Sequence, residues 1–366
     1  MDIIGHRLDS PRRLYAFEEL ILLPGLARMS PREITTEVQL GDLTLNAPFL
    51  SSPMDTVTEA KMAIAVASNG GLGVIHRNCT VEEAAAMVRE VKKAPADSGN
   101  KMAVRDRKGR LAVGAGISPL DTERAVALAE EADLLVSDVA SSYNVKVIEG
   151  AKKVIKATGK KIVIGNLGTR QGVLHTIKEL GAENVAAVRV GMGSGSICTT
   201  TDVSGVGSPV PFATEQAALA LSELHLLDKI PIIADGGLRH TRDIAFSFCL
   251  GASLAMLGNL FARCDESPGE RMTKDGKRYK VYWGMGSAEA RKKRLAVDRY
   301  QETKGKDVNE GIKMTVPIEG TAAEVIERLL AELKITIGYI GARNIKEMRE
   351  VAEFAVRTAK EPKEGS

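Results

Sequence analysis

The sequence predicts a single (β/α)8 TIM barrel over residues 1–366, with a long insertion after the eighth strand. Two observations predict this fold. Eight short and almost wholly apolar segments recur along the chain, and each ends in small or polar residues. Stretches with helical periodicity lie between them, as in strand–helix units whose strands are buried on both faces. An open doubly wound sheet is the alternative, but eight such units in a row favour a closed barrel.

The eight predicted strands are, in chain order, 47–55, 71–76, 111–117, 134–140, 161–168, 185–193, 231–237 and 253–259. Two of the helices between them have recognisable ends. Asp121 is a good N-cap for the helix predicted over 121–132. Gly159 is a plausible C-cap for the helix predicted over 147–160, whose apolar residues share one face.

Two segments fall outside this repeat. The polar stretch 92–111, between the second and third strands, contains Pro and Gly and is predicted to be a loop or a short hairpin. The highly charged stretch 265–320 follows the eighth strand and has few periodic apolar residues. So long an excursion from a compact domain is usually either disordered or a functional lid.

Composition excludes several classes of protein. With 50 basic and 47 acidic residues, the net charge of +3 is too small for a protein built around nucleic acid. No signal peptide and no apolar run of the ~20 residues that span a bilayer is recognisable, so we expect a cytoplasmic protein without a membrane partner. The four scattered cysteines form no CxxC pair, which argues against a zinc site or a disulfide framework.

The ends of the predicted strands are the places where a barrel carries its chemistry. The last two strands end in "ADGG" (234–237) and "LGN" (257–259), at the positions where barrels often bind phosphate. Glycine turns there expose backbone N–H groups to an anion. The alternative is that these glycines only make tight turns.

Cys198 is the sequence's candidate nucleophile. Structural cysteines are usually buried among apolar residues, whereas Cys198 lies in the Gly/Ser/Thr loop "RVGMGSGSICTTTD" (189–202). A thiolate could be stabilised there and reached by a substrate, although an ordinary loop thiol fits the composition equally well. His76, at the end of the second strand, is either a partner through space or a structural histidine.

A family resemblance decides between these alternatives. The segments "SSPMDTVTE", "GGLGVIHRNCT", "RVGMGSGSIC", "ADGG", "YWGMGS" and "DRY…EG" occur in the order in which the IMP dehydrogenase family has them, across nearly the whole chain. GMP reductase is the sister family and shares the barrel, the cysteine loop and the nucleotide site. The chain resembles most closely the catalytic core of IMP dehydrogenase.

The resemblance implies a reaction and its catalytic residues. Cys198 would bond to C2 of IMP, hydride would pass to NAD⁺, and water would then release XMP. Arg299 and Tyr300, on a mobile flap within 265–320, would be the base that activates this water, and Thr200 would help to position it. Without the resemblance, the "RKKRLAVDRY" stretch would be interpreted as a solvated charged helix.

The resemblance also implies the binding residues. The nucleotide would contact Ser52, Met54, Ser196, Asp235, Gly236, Gly237, Gly258, Asn259, Tyr282, Gly284, Met285, Gly286 and Glu310. Asp235 would bind the ribose, and residues 236–237 and 258–259 would bind the phosphate. Residues 282–286 and Glu310 would cover the base. The dinucleotide would contact Asp138, Asn166, Arg189, Gly191 and Gly193. Carbonyl groups of Gly193, Gly195 and Cys198 would form a potassium site, and the chain would be a homotetramer.

Four departures from the family pattern leave alternatives open. The stretch 92–111 stands where dehydrogenases usually carry a pair of CBS modules. "DVA" (138–140) replaces the usual Asp-Ser-Ser and looks like GMP reductase, which leaves NADP as an alternative to NAD and GMP as an alternative substrate. Asn259 replaces a serine, and no Glu-Gly-Gly partner for the potassium site is clear near the C-terminus. A catalytically silent nucleotide-binding barrel is the third hypothesis.

Overall fold

A computed structural model describes residues 13–95, 97, 99–292 and 309–357. Its strands are β1 (Leu20–Leu22), β2 (Val38–Leu40), β3 (Leu43–Leu45), β4 (Phe49–Ser51), β5 (Leu72–Ile75), β6 (Val113–Ile117), β7 (Leu134–Ser137), β8 (Ile162–Leu167), β9 (Val185–Val190), β10 (Ile232–Asp235), β11 (Leu254–Leu257), β12 (Arg271–Lys274), β13 (Lys277–Trp283), β14 (Lys313–Pro317) and β15 (Phe354–Val356). Its helices are α1 (Ala60–Ser68), α2 (Val81–Lys93), α3 (Thr122–Ala129), α4 (Val145–Thr158), α5 (Arg170–Leu180), α6 (Thr200–Ser204), α7 (Val210–Glu223), α8 (Thr241–Cys249), α9 (Asn259–Ala262), α10 (Ala288–Arg291), α11 (Ala322–Tyr339) and α12 (Ile345–Val351). None of these helices is long and apolar enough to cross a membrane.

Strands β4 to β11 form a closed parallel barrel. Each strand pairs with the next in the chain, and β11 returns to pair with β4, where Met256 lies beside Leu50. All eight predicted strands are present, and most are followed by a helix that packs on the outside. The (β/α)8 prediction is confirmed, and the open doubly wound sheet was the wrong alternative.

The core has two layers because side chains of a strand alternate between the two faces of the sheet. Leu50, Val136 and Ile233 belong to a cluster inside the barrel, whereas their neighbours in sequence pack against the helices. The β2–β3 hairpin adds Leu40 and Leu45 to the inside cluster, and both are fully buried. Apolar side chains therefore fill the barrel and leave chemistry to its rim.

The predicted helix ends are present. Asp121 caps α3, since its carboxylate accepts a hydrogen bond from the Arg124 amide at 3.0 Å. Gly159 ends α4 in the left-handed conformation, with φ of +65°. Local side-chain chemistry therefore determines where these two helices start and stop.

The predicted loop 92–111 begins within the last turn of α2 and is tied to the barrel by a buried lysine. The ammonium group of Lys92 contacts the carboxylates of Asp106, at 3.0 Å, and Asp133, and it donates to the carbonyl oxygen of Leu111. Only 2% of the Lys92 side chain is exposed. After α2, an isolated bridge between Arg105 and Leu111 closes a short turn before β6.

The described part of the stretch 265–320 contains a three-stranded antiparallel sheet and the short helix α10. The order of the sheet is β12–β13–β14, so β14 returns beside β13 after the intervening residues. The charged composition of 265–320 hid this sheet from the sequence analysis. Its role as a catalytic flap stays a prediction.

Replacing Lys92 with methionine tests the buried ion cluster. The variant leaves two largely buried carboxylates without their shared cation, so we expect the free energy of unfolding to fall by about 3–5 kcal/mol. Denaturant unfolding measures this loss. Lys152→Met is the matched control, because Lys152 pairs with Glu149 and Glu179 on the surface and its loss should matter far less.

Lys92→Met should also change how the free energy of unfolding depends on pH in acid solution. Burial opposes ionisation of Asp106, but hydrogen bonds from Lys92 and Arg110 outweigh it and lower the pKa of Asp106 to about 2. The ionised carboxylate therefore stabilises the fold above its unfolded pKa of about 4, and this contribution is lost as the pH falls toward 2. Wild type should lose stability more steeply across this range than Lys92→Met, and parallel curves would contradict the assignment.

Candidate active site

A cavity opens at the carboxyl ends of the barrel strands. Residues that directly follow β4, β10 and β11 line it, among them Ser52, Gly236 and Gly258. In a closed parallel barrel the carboxyl ends of all strands meet at one rim, so residues far apart in sequence come together there. The cavity lies where such a barrel places an active site.

The loop from Gly191 to Cys198, called here the cysteine loop, forms one wall of the cavity. Gly191 has a φ of +114°, and a Cβ atom there would lie 2.2 Å from the carbonyl oxygen of Asp235. Only glycine therefore lets the loop pass so close to the end of β10. Farther along, the Cys198 amide donates to the Gly195 carbonyl at 3.0 Å, a turn that holds the half-buried Cys198 at the cavity.

The Cys198 thiol begins a hydrogen-bonded relay. Its Sγ atom lies 3.2 Å from Oγ1 of Thr200, and the Thr200 hydroxyl donates to Oε2 of Glu310 at 2.8 Å. Thr200 is buried, which shields the middle of the relay from water. Because a carboxylate only accepts hydrogen bonds, the relay directs the thiol proton toward Glu310.

A second segment, 309–312, which we call the return arm, fixes this relay. The Thr199 amide donates to the carbonyl of Glu310 at 3.1 Å, and the Ile312 amide donates to the carbonyl of Ile197 at 3.0 Å. The Glu310 amide in turn donates to the carbonyl of Gly286. The cysteine loop is thus held between the barrel rim and the return arm.

Three hydroxyl groups, a glycine and an amide line another part of the cavity, which we call the hydroxyl end: Ser52, Ser196, Tyr282, Gly258 and Asn259. A Cβ atom at Gly258 would lie 2.8 Å from the Tyr282 hydroxyl and 3.4 Å from that of Ser52, so glycine leaves open space between two hydroxyls. Burial raises the pKa of Tyr282, and the Asp235 carboxylate acts in the same direction. The phenol is therefore neutral and able to donate a hydrogen bond.

Asp235 is a half-buried carboxylate on the cavity wall. The side-chain amide of Asn166 donates to its Oδ2 atom at 3.0 Å, and Nε of Arg189 lies 3.6 Å from the same atom. Arg189 also donates to Oδ1 of Asn166 at 2.6 Å. An amide and a cation thus hold Asp235 where it can accept hydrogen bonds from a ligand.

Asp138 and Arg189 lie below the cavity and do not line it. Both are buried, with exposures of 0% and 1%, and the Arg189 guanidinium lies 3.6 Å from the Asp138 carboxylate. Arg77 contacts the other oxygen of Asp138 at 3.4 Å. Their charges stabilise one another under the rim, so the structure does not bring these two predicted dinucleotide ligands to the cavity.

The other predicted residues that the cavity wall contains are Ser52, Met54, Asn166, Gly191, Gly193, Gly195, Ser196, Cys198, Thr200, Asp235, Gly236, Gly237, Gly258, Asn259, Tyr282, Gly284, Met285 and Glu310. Gly286 stands just behind it and accepts the Glu310 amide. Arg299 and Tyr300 lie outside the described residues. His76 is buried away from the cavity, where its Nδ1 accepts the Asn78 amide, as a structural histidine would.

Eight lining residues are not among the predicted ligands: Val139, Ala140, Met192, Ser194, Ile197, Leu238, Arg239 and Met256. Arg239 matters most, because no other lysine or arginine among the described residues lines the cavity. A basic residue two positions after the Gly236–Gly237 turn was a usable signal for it. Met256 could not be found from sequence, because its pattern is that of one more apolar strand residue.

Comparisons with known proteins agree on one family. The family model described as "IMP dehydrogenase / GMP reductase domain" matches residues 14–366. The inosine-5′-monophosphate dehydrogenase of Korarchaeum cryptofilum is 34% identical over 459 aligned positions, which cover 96% of this chain and 95% of that protein. The Methanocaldococcus jannaschii enzyme of the same name is 32% identical, with 96% and 94% covered. That of Cryptosporidium parvum is 34% identical over 371 positions, with 92% and 90% covered.

The aligned lengths differ in an informative way. The 459 positions of the K. cryptofilum alignment exceed the 366 residues of this chain, so that relative carries segments that this chain lacks. The 371 positions of the C. parvum alignment are close to the length of this chain. Proteins of the same name thus occur with and without the additional segments.

Thiol labelling tests the position of Cys198. Cys79, Cys249 and Cys264 are buried, burial raises the pKa of Cys249 to about 12, and burial also raises that of Cys264. At pH 8, iodoacetamide should modify Cys198 at least about tenfold faster than the other three thiols. Peptide mass mapping over time measures the four rates, and Cys198→Ser should remove the fast phase. Earlier modification of Cys249 or Cys264 would contradict this geometry.

Proposed function

The chain belongs to the IMP dehydrogenase / GMP reductase family, and we propose that it oxidises IMP to XMP with NAD⁺ through a covalent bond from Cys198 to C2 of the base. One observation carries the proposal. The Cys198 thiol faces the cavity and is joined by Thr200 to a carboxylate, that of Glu310. A nucleophile and its proton acceptor are therefore in place, as covalent catalysis needs.

The shape and polarity of the cavity support a nucleotide. We place the phosphate at the hydroxyl end, where the Gly236–Gly237 turn adds backbone N–H groups and Arg239 adds a positive charge. We place the ribose hydroxyls at Asp235, whose carboxylate accepts their hydrogen bonds. The base then lies between Cys198 and the pair Gly284–Met285, which all line the cavity.

The chain's residues account for the proton and bond changes. The Cys198 sulfur adds to C2 of the hypoxanthine ring while its proton moves through Thr200 to Glu310. A nicotinamide cofactor held beside the cysteine loop would supply the acceptor for the hydride that leaves C2. The remaining thioimidate joins C2 to Cys198, and water then replaces the sulfur to give XMP and the free thiol. Water is a poor nucleophile, so a base must take its proton.

The resemblance assigns this base to Arg299 and Tyr300, which lie outside the described residues. Within the described part of the chain, Glu310 is the carboxylate that hydrogen bonds connect to the reacting thiol, through Thr200. We propose that Thr200 and Glu310 handle the thiol proton and that the Arg299–Tyr300 pair serves the water. The flap assignment of 265–320 belongs to the same proposal.

The nicotinamide end of NAD⁺ fits the cavity next to the cysteine loop. Val139 and Ala140 provide apolar surface, Asn166 provides an amide, and Gly191 and Gly193 form the backbone wall beside them. These five residues would hold it, whereas the buried Asp138 and Arg189 would act from below. NADP stays the alternative, since no described residue of the cavity distinguishes the two.

The described residues support a potassium site less well than they support the nucleotide site. The carbonyl of Gly195 already accepts the Cys198 amide, and carbonyls of Gly193, Gly195 and Cys198 are fewer than the six to eight oxygens that hard cations usually take. The homotetramer and the CBS position at 92–111 likewise stay predictions of the resemblance.

GMP reductase is the second candidate, and one observation favours it. Val139 and Ala140 line the cavity where the dehydrogenases usually have two serines. The dehydrogenase is preferred because the compared relatives carry that name and because Arg299 and Tyr300 are both present. GMP reductase needs no base for hydrolysis and generally lacks this pair.

Two substrate pairs test the proposed function. The purified chain is incubated with IMP and NAD⁺, and separately with GMP and NADPH, while absorbance of the reduced nicotinamide is recorded. We expect turnover with the first pair, at a rate of about 1 s⁻¹ or faster. Cys198→Ser should bind IMP but lower this rate by at least about a thousandfold, because its hydroxyl is a much weaker nucleophile.

Each of the other outcomes would contradict part of the proposed function. Turnover with GMP and NADPH alone would identify a reductase and overturn the dehydrogenase. Binding of IMP without turnover of either pair would support a silent nucleotide-binding barrel. Full activity of Cys198→Ser would remove the nucleophile, whichever pair is used.

A further inference from the structure

The side chain of Asn259 is clamped between the cavity and an arginine. Asn259 directly follows Gly258 at the hydroxyl end, and its Nδ2 atom lies 3.4 Å from the Ser196 hydroxyl. On its other side, Nε of Arg263 donates to Oδ1 of Asn259 at 2.9 Å. The two residues are one helical turn apart, so they are neighbours on the same face.

This contact determines which way the amide points. A guanidinium carries only hydrogen-bond donors, so it must face the oxygen of the amide and not its NH₂ group. The NH₂ group of Asn259 is therefore turned toward Ser196 and the cavity. A flipped amide would face Arg263 with its own donors and would point its oxygen into the cavity.

Arg263 is itself held in place by Glu319. Its guanidinium pairs with Glu319, and the Glu319 amide donates to the carbonyl of Arg263 at 3.0 Å. Glu319 also pairs with Arg328 at 3.3 Å. These side chains are partly exposed, at 26% for Arg263 and 34% for Glu319, so substitution of Arg263 should leave the fold intact.

We propose that Arg263 is a positioning residue for the nucleotide phosphate, because it aims the Asn259 amide nitrogen at that phosphate. The inference rests on the proposed function for the placement of the phosphate. A phosphate accepts hydrogen bonds only, so the two orientations of the amide are not equivalent: one donates to it and the other repels it. A serine, the residue that the family usually has at this position, needs no such partner because its hydroxyl rotates.

The experiment compares Arg263→Met in the wild-type background and in an Asn259→Ser background. Methionine matches the length of the arginine stem and has no donor. Calorimetry without cofactor gives the Kd of IMP, so the readout does not depend on turnover. We expect Arg263→Met to weaken IMP binding about tenfold in the wild-type background, the effect of about one charge-assisted hydrogen bond, and less than about twofold in the Asn259→Ser background.

Three controls separate orientation from other effects. Arg263→Lys keeps a side chain that carries only hydrogen-bond donors, so it should restore most of the affinity. Arg328→Met removes the other arginine from Glu319 with the same change in charge, and it should leave the Kd of IMP unchanged. Inosine, which lacks the phosphate, should bind to Arg263→Met and to wild type equally.

An equal loss of IMP affinity in both backgrounds would overturn the inference, since a serine has no orientation to lose. So would Arg263→Lys behaving like Arg263→Met, since a side chain with donors only would then fail to restore the orientation. The proposed function fails separately, when wild type binds IMP but turns over neither substrate pair.

Discussion

The close approach of the cysteine loop to the end of β10 is the contact on which the site depends. It exists because Gly191 has no Cβ atom, which would otherwise lie 2.2 Å from the Asp235 carbonyl. This approach brings Cys198 to the cavity that Asp235 also lines, and the return arm then holds the loop from the other side through Ile312 and Glu310. A loop confined between two surfaces can keep a thiol aligned with a ligand without burying it, which suits a nucleophile that must be reached by substrate.

Electrostatics below the rim complete this arrangement. Two arginines, Arg77 and Arg189, and the fully buried Asp138 lie beneath the cavity, at a cost in desolvation that only close pairing offsets. Arg189 connects these buried charges to the cavity wall, since it contacts both Asn166 and Asp235. The carboxylate on the cavity wall is therefore held by a cation that solvent does not reach. The network therefore holds the Asp235 carboxylate in place and stabilises the shape of the rim.

Much of the fold could be predicted from sequence, because apolar runs that end in small residues are a direct consequence of parallel strands buried on both faces. The ends of those runs also predicted most of the cavity wall, including Cys198, Asp235 and Gly258. The role of Cys198 could not be decided from its composition and depended on the family resemblance. The resemblance assigned Asp138 to the dinucleotide, whereas the structure pairs it with Arg77 and Arg189, which come from two other strands and their ends. Such through-space partners leave no local signal.

The sheet of β12, β13 and β14 escaped prediction for a related reason. Most residues of β12 and β14 are exposed, and in β13 three successive residues are buried, so no alternating apolar pattern marks the strands. The contact between Asn259 and Arg263 is local in sequence, but an Arg four residues from an Asn is uninformative until the orientation of the amide is known. The sequence thus identifies the position of a functional side chain better than its orientation.

The central claim, a bond from Cys198 to C2 of a purine nucleotide, is tested most directly by trapping that bond. The chain is mixed with IMP and NAD⁺, quenched in acid at times within the first turnover, and digested for mass spectrometry. We expect the peptide that contains Cys198 to carry the mass of a xanthosine monophosphate group at early times and to lose it as XMP appears. Formation of reduced cofactor while Cys198 stays unmodified at every quench time would contradict the account.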